Sequence, residues 1–173
     1  MYNSQIQQDK FVNEYLNKDN GFFVDIGAGT SGIHNMPVGF YSNTYFFESR
    51  GWTGIAIDYD KIYIDSVKNQ RNCSCVCEDL MVTNINNILE NYNCPELSDY
   101  LSFDVDEASE KVLLDLDLSK YKFRVITFEH NIYQTESDIF SKNSQEAYRR
   151  LYNISREKFK DYGYTLYKPD VVL

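Results

Sequence analysis

The sequence is short of positive charge. Lys and Arg number 17 against 26 Asp and Glu, and the net charge at pH 7 is −9. Proteins that hold a phosphate backbone usually present a basic stripe, and no run of Lys or Arg occurs here. Because an acidic surface repels nucleic acid at long range, we do not expect nucleic acid as a partner.

Long hydrophobic runs are also missing. No stretch of 18 apolar residues occurs, and the first residues have neither the basic nor the apolar region of a secretory signal. A membrane-spanning helix needs about 20 apolar residues, so the sequence predicts no membrane partner. The absence of signal features predicts a cytoplasmic protein.

Cysteine is scarce, with four residues in the chain. Cys73, Cys75 and Cys77 alternate along the sequence, a spacing that matches no zinc knuckle. Alternate residues of a strand point to one face. We therefore expect buried, reduced thiols on one face of a strand.

What the sequence does contain is enough apolar residue for a packed core. Hydrophobic residues make up 43% of the 173 positions and aromatic residues 16%, which predicts a single domain over residues 1–173. The apolar spacing indicates an N-terminal helix within residues 1–18 and alternating strands and helices thereafter. Strands are predicted at 21–27, 51–58, 73–78, 97–105, 122–129 and 164–167, and helices at 42–49, 61–70, 84–91, 109–116 and 145–161.

This alternation predicts an α/β fold with a mostly parallel central sheet and helices on both faces. Residues 28–41 and 131–144 are irregular in pattern and are candidate substrate-site loops. Ligands of such sheets bind outside the carboxyl ends of the strands, so the residues at those ends matter most.

Acidic residues stand at or just past the ends of four predicted strands: Asp25, Asp58, Asp79 and Asp104. An adenosine-containing cofactor suits such an edge, because a carboxylate accepts hydrogen bonds from both ribose hydroxyls. We assign Asp58 to the ribose. Asp79 and its neighbour Leu80 are assigned to the adenine.

The first strand is followed by glycines that bring the backbone close to a ligand. Asp25, Gly27, Ala28 and Gly29 are assigned to the amino-acid end of the cofactor. The run from Gly27 to Gly32 also has the G-x-G-x-x-G spacing of a dinucleotide site, but that motif requires a helix to open at once on a pyrophosphate. The residues after Gly32 cannot continue a helix, and nearby acids favour the cationic, phosphate-free S-adenosylmethionine.

The chain resembles the FkbM family of methyltransferases over residues 9–168. The resemblance is carried by Phe23-Val-Asp-Ile-Gly-Ala28, Ser42-Asn-Thr-Tyr-Phe-Phe-Glu48, Gly51-Trp-Thr-Gly-Ile-Ala-Ile-Asp58, Asp99-Tyr-Leu-Ser-Phe-Asp-Val105 and Phe123-Arg-Val-Ile-Thr-Phe-Glu-His-Asn131. It implies a class I, Rossmann-like methyltransferase fold with a seven-stranded or slightly shortened sheet. It also implies O-methylation of sugars or polyketide-type natural products, with Ser42 and Asn43 as cofactor contacts. After the fourth strand the chain reads Asp104-Val-Asp106-Glu107 where the family pattern is Asp-Val-Glu-Gly.

Methyl transfer to a hydroxyl needs a positioned acceptor and a base for its proton. The candidates for the base are Asp104, Glu129 and His130, of which His130 titrates nearest neutrality. An alternative reading makes Asp104, Asp106, Glu129 and His130 ligands of Mg²⁺ or Mn²⁺, which would acidify the acceptor hydroxyl.

Two other function classes stay open from the sequence. One is an NAD(P)-dependent oxidoreductase, which the glycine spacing would fit. The other is a non-catalytic module that binds the cofactor or a glycan. For the methyltransferase, the expected partner is a small-molecule or glycan acceptor.

Overall fold

The computed structural model describes residues 2–29, 37–136 and 139–168, so residues 30–36 of the predicted loop 28–41 lie outside it. Helices and strands alternate as predicted. Their bounds are α1 Gln8–Leu16, β1 Phe22–Ile26, α2 Tyr45–Glu48, β2 Thr53–Asp58, α3 Lys61–Val67, β3 Ser74–Cys77, α4 Ile85–Asn91, β4 Leu97–Phe103, α5 Ser109–Asp115, β5 Lys122–Phe128 and α6 Lys142–Asp161. Short 3₁₀ turns occupy Asp106–Ala108 and Ile132–Glu136.

The five strands form one all-parallel sheet in the order β3-β2-β1-β4-β5. The α/β class and the parallel sheet are therefore confirmed, and the order is consistent with a Rossmann-like fold. Strand order reverses between β1 and β4, which is where ligands of open parallel sheets usually bind. The C-terminal ends of β1 and β2 carry most of the residues predicted for the cofactor.

Both faces of the central strands are covered. Along β1, β2 and β4 nearly every residue is buried rather than every second one, which is the pattern of a sheet with helices on both sides. Right-handed crossovers place α2 and α3 on one face and α4 and α5 on the other. The contacts of α1 with α2 and of α4 with α5 agree with this placement.

Much of the aromatic content packs between the sheet and the first two helices. Phe23, Phe47, Trp52 and Tyr100 are at most 2% exposed and belong to one apolar cluster. Phe47 lies between the rings of Trp52 and Tyr100, with centroid distances of 4.7 and 5.6 Å. This cluster fixes α2, and with it the residues just before α2, over the middle of the sheet.

Polar side chains hold the turns that precede α2 and α3. The side chain of Asp60 caps α3 by accepting hydrogen bonds from the amides of Ile62 and Tyr63. Ser42 accepts from the amides of Thr44 and Tyr45 at 3.2 and 3.1 Å, although α2 itself begins only at Tyr45. The turn before α2 is therefore held by Ser42.

Three predictions about the C-terminal half need correction. Helix α6 begins at Lys142 rather than 145, because Ser141 caps it by accepting from the amide of Ser144. Residues 164–167 form no strand; they are mostly exposed, and a strand needs a neighbour for its backbone hydrogen bonds. The sheet has five strands within the described residues, whereas the family resemblance implies a seven-stranded or slightly shortened sheet.

The chain forms two compact units, Met1–Phe128 and Glu129–Leu173. The first contains the whole sheet. The second contains the 3₁₀ turn Ile132–Glu136 and the long helix α6, which contact each other. Across the described ranges 2–29, 37–136 and 139–168, no helix combines the length and apolarity needed to cross a membrane.

Candidate functional site

The backbone after β1 is pressed against the end of β4. Gly27 has φ +84°, and a Cβ added there would lie 1.5 Å from the carbonyl oxygen of Asp104. The amides of Gly27 and Ala28 both donate to the carbonyl of Ile57, at 2.9 and 3.0 Å. The glycine run therefore joins the ends of β1, β2 and β4 and shapes the point where strand order reverses.

Asp58 closes β2 with its carboxylate held by two backbone amides. Oδ2 accepts from the amide of Gly29 at 2.7 Å, and Oδ1 accepts from the amide of Asp60 at 2.7 Å. A Cβ on Gly29 would lie 2.6 Å from Asp58 Oδ2, so this approach requires glycine. Burial raises the pKa of Asp58, and the amide hydrogen bonds partly oppose the shift. Each carboxylate oxygen keeps a lone pair for another donor.

Two exposed apolar side chains follow Asp58 closely in the chain. Tyr59 and Ile62 are 68% and 63% exposed although they follow a buried strand directly. Asp79 follows the neighbouring strand β3, is exposed, and accepts from the amide of Met81 at 2.8 Å. Leu80 beside it is buried. The structure thus places the predicted ribose and adenine residues after two adjacent strands at the same edge of the sheet.

Asp25 is placed differently. It lies inside β1, level with Ala56 and therefore two residues before Asp58 in register, and its side chain is 1% exposed. Thr44 Oγ1 donates to Asp25 Oδ2 at 2.6 Å, and Ser102 also hydrogen-bonds the carboxylate. Asp25 therefore lies below the edge that Asp58 and Asp79 share.

Asn43 is linked to the buried carboxylate of Asp25 by hydrogen bonds. Its Nδ2 donates to Ser102 Oγ at 3.0 Å, and Ser102 in turn bonds Asp25. Asn43 Oδ1 is buried and has no hydrogen-bond partner among the described residues. A buried acceptor without a donor costs free energy, so the position suits a ligand that carries an N–H group.

A buried ion pair that the sequence analysis missed completes the network. Arg71 Nε donates to Glu48 Oε2 at 2.6 Å, and Arg71 Nη2 donates to Thr44 Oγ1 at 3.0 Å. The side chains of Arg71 and Glu48 are 0% and 1% exposed. Thr44 and Glu48 belong to the Ser42–Glu48 motif, so the sequence offered a signal for these two members of the network. Nothing in the sequence marks Arg71. The buried cluster holds one cation against two carboxylates, those of Asp25 and Glu48.

This charge imbalance gives a pH prediction for Asp25. Burial raises the pKa of Asp25, while the Thr44 hydrogen bond and the charge of Arg71 lower it less. An acid whose pKa is raised by folding costs stability once it ionises, so its contribution falls as pH rises from about 4 through the raised pKa. We expect Asp25→Asn to unfold at a higher temperature than wild type at pH 7, with a smaller difference at pH 4. Thermal unfolding at a series of pH values measures this, and an Asp25→Asn protein less stable than wild type at pH 7 would contradict it.

The residues predicted for catalysis fall in both units. The amide of Asp104 donates to the carbonyl of Ile26 at 2.8 Å, at the end of β4. Asp106 has φ +44°, and burial with the nearby charge of Glu107 raises its pKa. Glu129 and His130 follow β5 in the chain and begin the second unit.

The imidazole of His130 is already engaged at one nitrogen. Its Nδ1 accepts from the amide of Ile132 at 3.2 Å, and its ring meets Tyr152 edge-on at 5.0 Å between centroids. When Nδ1 of a neutral imidazole accepts, the proton sits on Nε2.

The predicted metal ligands Asp104, Asp106, Glu129 and His130 all lie in the part of the chain that the structure describes. Within that part, no group of three His, Cys, Asp or Glu side chains is arranged to hold a metal ion. The side chains of the described residues therefore do not fit a preformed Mg²⁺ or Mn²⁺ site.

Comparison of the chain with protein-family models, curated proteins and solved structures finds no match.

Proposed function

We propose that the protein is an S-adenosylmethionine-dependent O-methyltransferase with a class I fold and an FkbM-like site. The observation that carries the proposal is Asp58, whose carboxylate is fixed by the amides of Gly29 and Asp60 at the end of β2. A carboxylate held in this way can accept both hydroxyls of a ribose without moving. The exposed Tyr59 and Ile62 beside it offer apolar surface to a base.

The charge of this edge favours a cofactor without phosphates. Asp58, Asp79 and Asp104 stand at or just past the strand ends, and Asp25 lies two residues before Asp58 and Asp104 in register. The nearby guanidinium of Arg71 is committed to Glu48. A pyrophosphate would meet carboxylates here, whereas a sulfonium and an ammonium group are attracted by them.

The amino-acid end of the cofactor is assigned to the first loop and to Asn43. The unpartnered Oδ1 of Asn43 would accept a hydrogen bond from the α-ammonium group. The carboxylate of Asp25, which is linked to Asn43 by hydrogen bonds with Ser102, would attract the positive charge of that group. Gly27, Ala28 and Gly29 let the backbone approach closely. When bound, the cofactor supplies an electrophilic methyl group.

The protein's remaining task is to orient an acceptor hydroxyl and take its proton. Asp104, at the end of β4 in the same unit as Asp58, is the proposed base. The acceptor proposed from the family resemblance is a sugar, a glycan or a small natural product.

Calorimetric titration with S-adenosylhomocysteine tests the cofactor assignment. Hydrogen bonds to a charged acceptor contribute about 1.5–3 kcal/mol, so Asp58→Asn is expected to weaken binding roughly 10- to 150-fold. Asp65→Asn, an exposed carboxylate paired with Lys61 on α3, is the matched control and should bind as wild type does. Binding of NAD⁺ in place of the methyl-donor product would instead support an oxidoreductase.

Methyl transfer is tested separately with labelled S-adenosylmethionine and a panel of sugars, read by mass spectrometry. A mass gain of one methyl group on an acceptor hydroxyl is the expected result. Cofactor binding with no transfer to any acceptor would favour the non-catalytic module.

A further inference from the structure

The segment Tyr2–Gln7, which precedes α1, is fastened to that helix by the carboxylate of Asp9. Asp9 is 0% exposed. Its Oδ2 accepts hydrogen bonds from the amides of Asn3 and Ser4 at 2.5 and 3.2 Å, and its Oδ1 accepts from Ser4 Oγ at 2.6 Å. The amide of Asp9 donates back to Ser4 Oγ at 3.2 Å. Because hydrogen bonds to a carboxylate are stronger than those between neutral groups, Asp9 sets the path of Asn3 and Ser4.

The same segment also contacts α2 and the turn before it. Ser4 pairs with Tyr41 in an isolated parallel bridge. The ring of Tyr2 lies 4.5 Å from the ring of Phe46 between centroids, and Phe46 belongs to α2 and to the apolar cluster. The Tyr2 hydroxyl accepts from Asn13 Nδ2 on α1 at 3.1 Å. The segment therefore links α1 to the turn from which α2 begins.

That turn contains two residues with a left-handed backbone. Gly39 has φ +84° and Tyr41 has φ +56°, and the amide of Ser42 donates to the carbonyl of Gly39 at 3.1 Å. A positive φ suits glycine but costs conformational free energy at tyrosine, so it persists only where neighbouring contacts hold it. The bridge from Ser4 is such a contact. We therefore expect Tyr41 to relax towards an ordinary φ when the segment is released.

Asn43 lies two residues after Tyr41 in the same turn. The bridge to Ser4 holds the backbone before Asn43, and the side chain of Ser42 holds the backbone after it. Asn43 Nδ2 donates to Ser102, which leaves the buried Oδ1 without a donor among the described residues. The segment, the turn and Ser102 all belong to the first unit. The position of Asn43 Oδ1 therefore depends on the segment that holds Tyr41.

We propose that the segment Tyr2–Gln7 is a positioning element for the amino-acid end of the cofactor. By holding Tyr41, the segment keeps Asn43 Oδ1 where it accepts a hydrogen bond from the α-ammonium group. This inference rests on the proposed function, because that function assigns Asn43 to the α-ammonium group. Asp9 is a positioning residue, since it is fully buried and acts through Ser4 and Tyr41.

The experiment compares two ligands that differ only at the amino-acid end. S-adenosylhomocysteine carries the α-ammonium group, whereas 5′-methylthioadenosine keeps the adenosyl thioether and lacks the amino acid. In calorimetric titrations, Asp9→Ala should weaken binding of S-adenosylhomocysteine about tenfold or more, the loss expected for a hydrogen bond to a charged group. Its affinity for 5′-methylthioadenosine should equal that of wild type. Glu14→Ala removes an exposed carboxylate from the same helix and should bind both ligands as wild type does.

Ser4→Ala provides a milder variant for the case in which Asp9→Ala does not fold. It removes the hydroxyl that bonds Asp9 twice and leaves the carboxylate its amide donors. The same selective loss for S-adenosylhomocysteine is expected, to a smaller extent. In an Asn43→Ala background, Ser4→Ala should cause no further loss, because the segment acts through Asn43 and the two effects are then not additive.

The outcomes separate this inference from the function on which it rests. Equal weakening of both ligands, no weakening of S-adenosylhomocysteine, or additive losses in the double variant would overturn the positioning role and leave the cofactor assignment standing. A wild-type protein that binds neither ligand would overturn the cofactor assignment, and the positioning role with it.

Discussion

Gly27→Ala is expected to destabilise the first unit by about 4 kcal/mol or more, or to prevent its folding. The added Cβ would lie 1.5 Å from the Asp104 carbonyl oxygen. No rotamer change relieves this clash, because the backbone fixes the positions of both atoms. The left-handed φ of +84° adds its own cost of about 1–2 kcal/mol for a residue with a Cβ. To accept alanine, the ends of β1 and β4 must move apart.

Gly51→Ala separates the cost of the steric clash from the cost of the left-handed backbone conformation. Gly51 has a similar φ of +96°, but no atom lies within 4 Å of the position its Cβ would take. This control should therefore lose only the backbone cost of about 1–2 kcal/mol. Urea unfolding of both variants measures the difference, and equal losses of stability would contradict the close packing of Gly27 against Asp104.

The second large effect is expected at the buried ion pair. Arg71→Met leaves the carboxylates of Glu48 and Asp25 buried without the cation that faces them among the described residues, and removing one partner of a buried pair costs about 3–5 kcal/mol. In a chain of this length that corresponds to a melting temperature lower by roughly 6–20 °C. Thermal unfolding at pH 7 measures it.

A second substitution shows whether the loss comes from the orphaned charge. Adding Glu48→Gln to Arg71→Met removes one unpaired carboxylate and should recover part of the stability, a coupling that a double-mutant cycle quantifies. Arg50→Met is the control, because Arg50 is half-exposed and its contact with the exposed Asp19 is 3.9 Å long; it should change little. No recovery in the double variant would mean that Arg71 acts by packing rather than by charge.

The strands of the sheet could be predicted from the sequence because each strand is marked by a local pattern of residues. Apolar runs such as that of β2 end at an acid or a glycine, and polar residues such as Asp60 and Ser42 cap the turns that follow. The five strands and the edge position of Asp58 follow from this pattern. The strand predicted at 164–167 fails because an alternating pattern indicates a strand only when a neighbour pairs with it.

Long-range electrostatics could not be predicted in the same way. The pairing of Arg71 with Glu48 joins residues 23 positions apart, and no local pattern marks it. The position of Asp25 was missed for a related reason. The sequence places Asp25 near a strand end, but only the register with β2 shows that it lies two residues before the end of that neighbouring strand. The Asn43–Ser102–Asp25 connection depends on that position.

Asp25 and Asp58 illustrate how stability and ligand binding oppose each other at this edge. Burial raises the pKa of both carboxylates, so the protein holds negative charge here at a cost. A cation bound above Asp25 would offset that cost. The same carboxylates that make the unliganded edge less stable are the ones expected to attract the methyl donor.

A crystal structure with S-adenosylhomocysteine tests the adenosyl assignment most directly. The ribose hydroxyls should lie within about 3.2 Å of the Asp58 carboxylate, with the adenine beside Tyr59 and the α-ammonium group near Asn43 Oδ1. A nucleoside bound anywhere other than the C-terminal ends of β1 and β2 would refute the assignment.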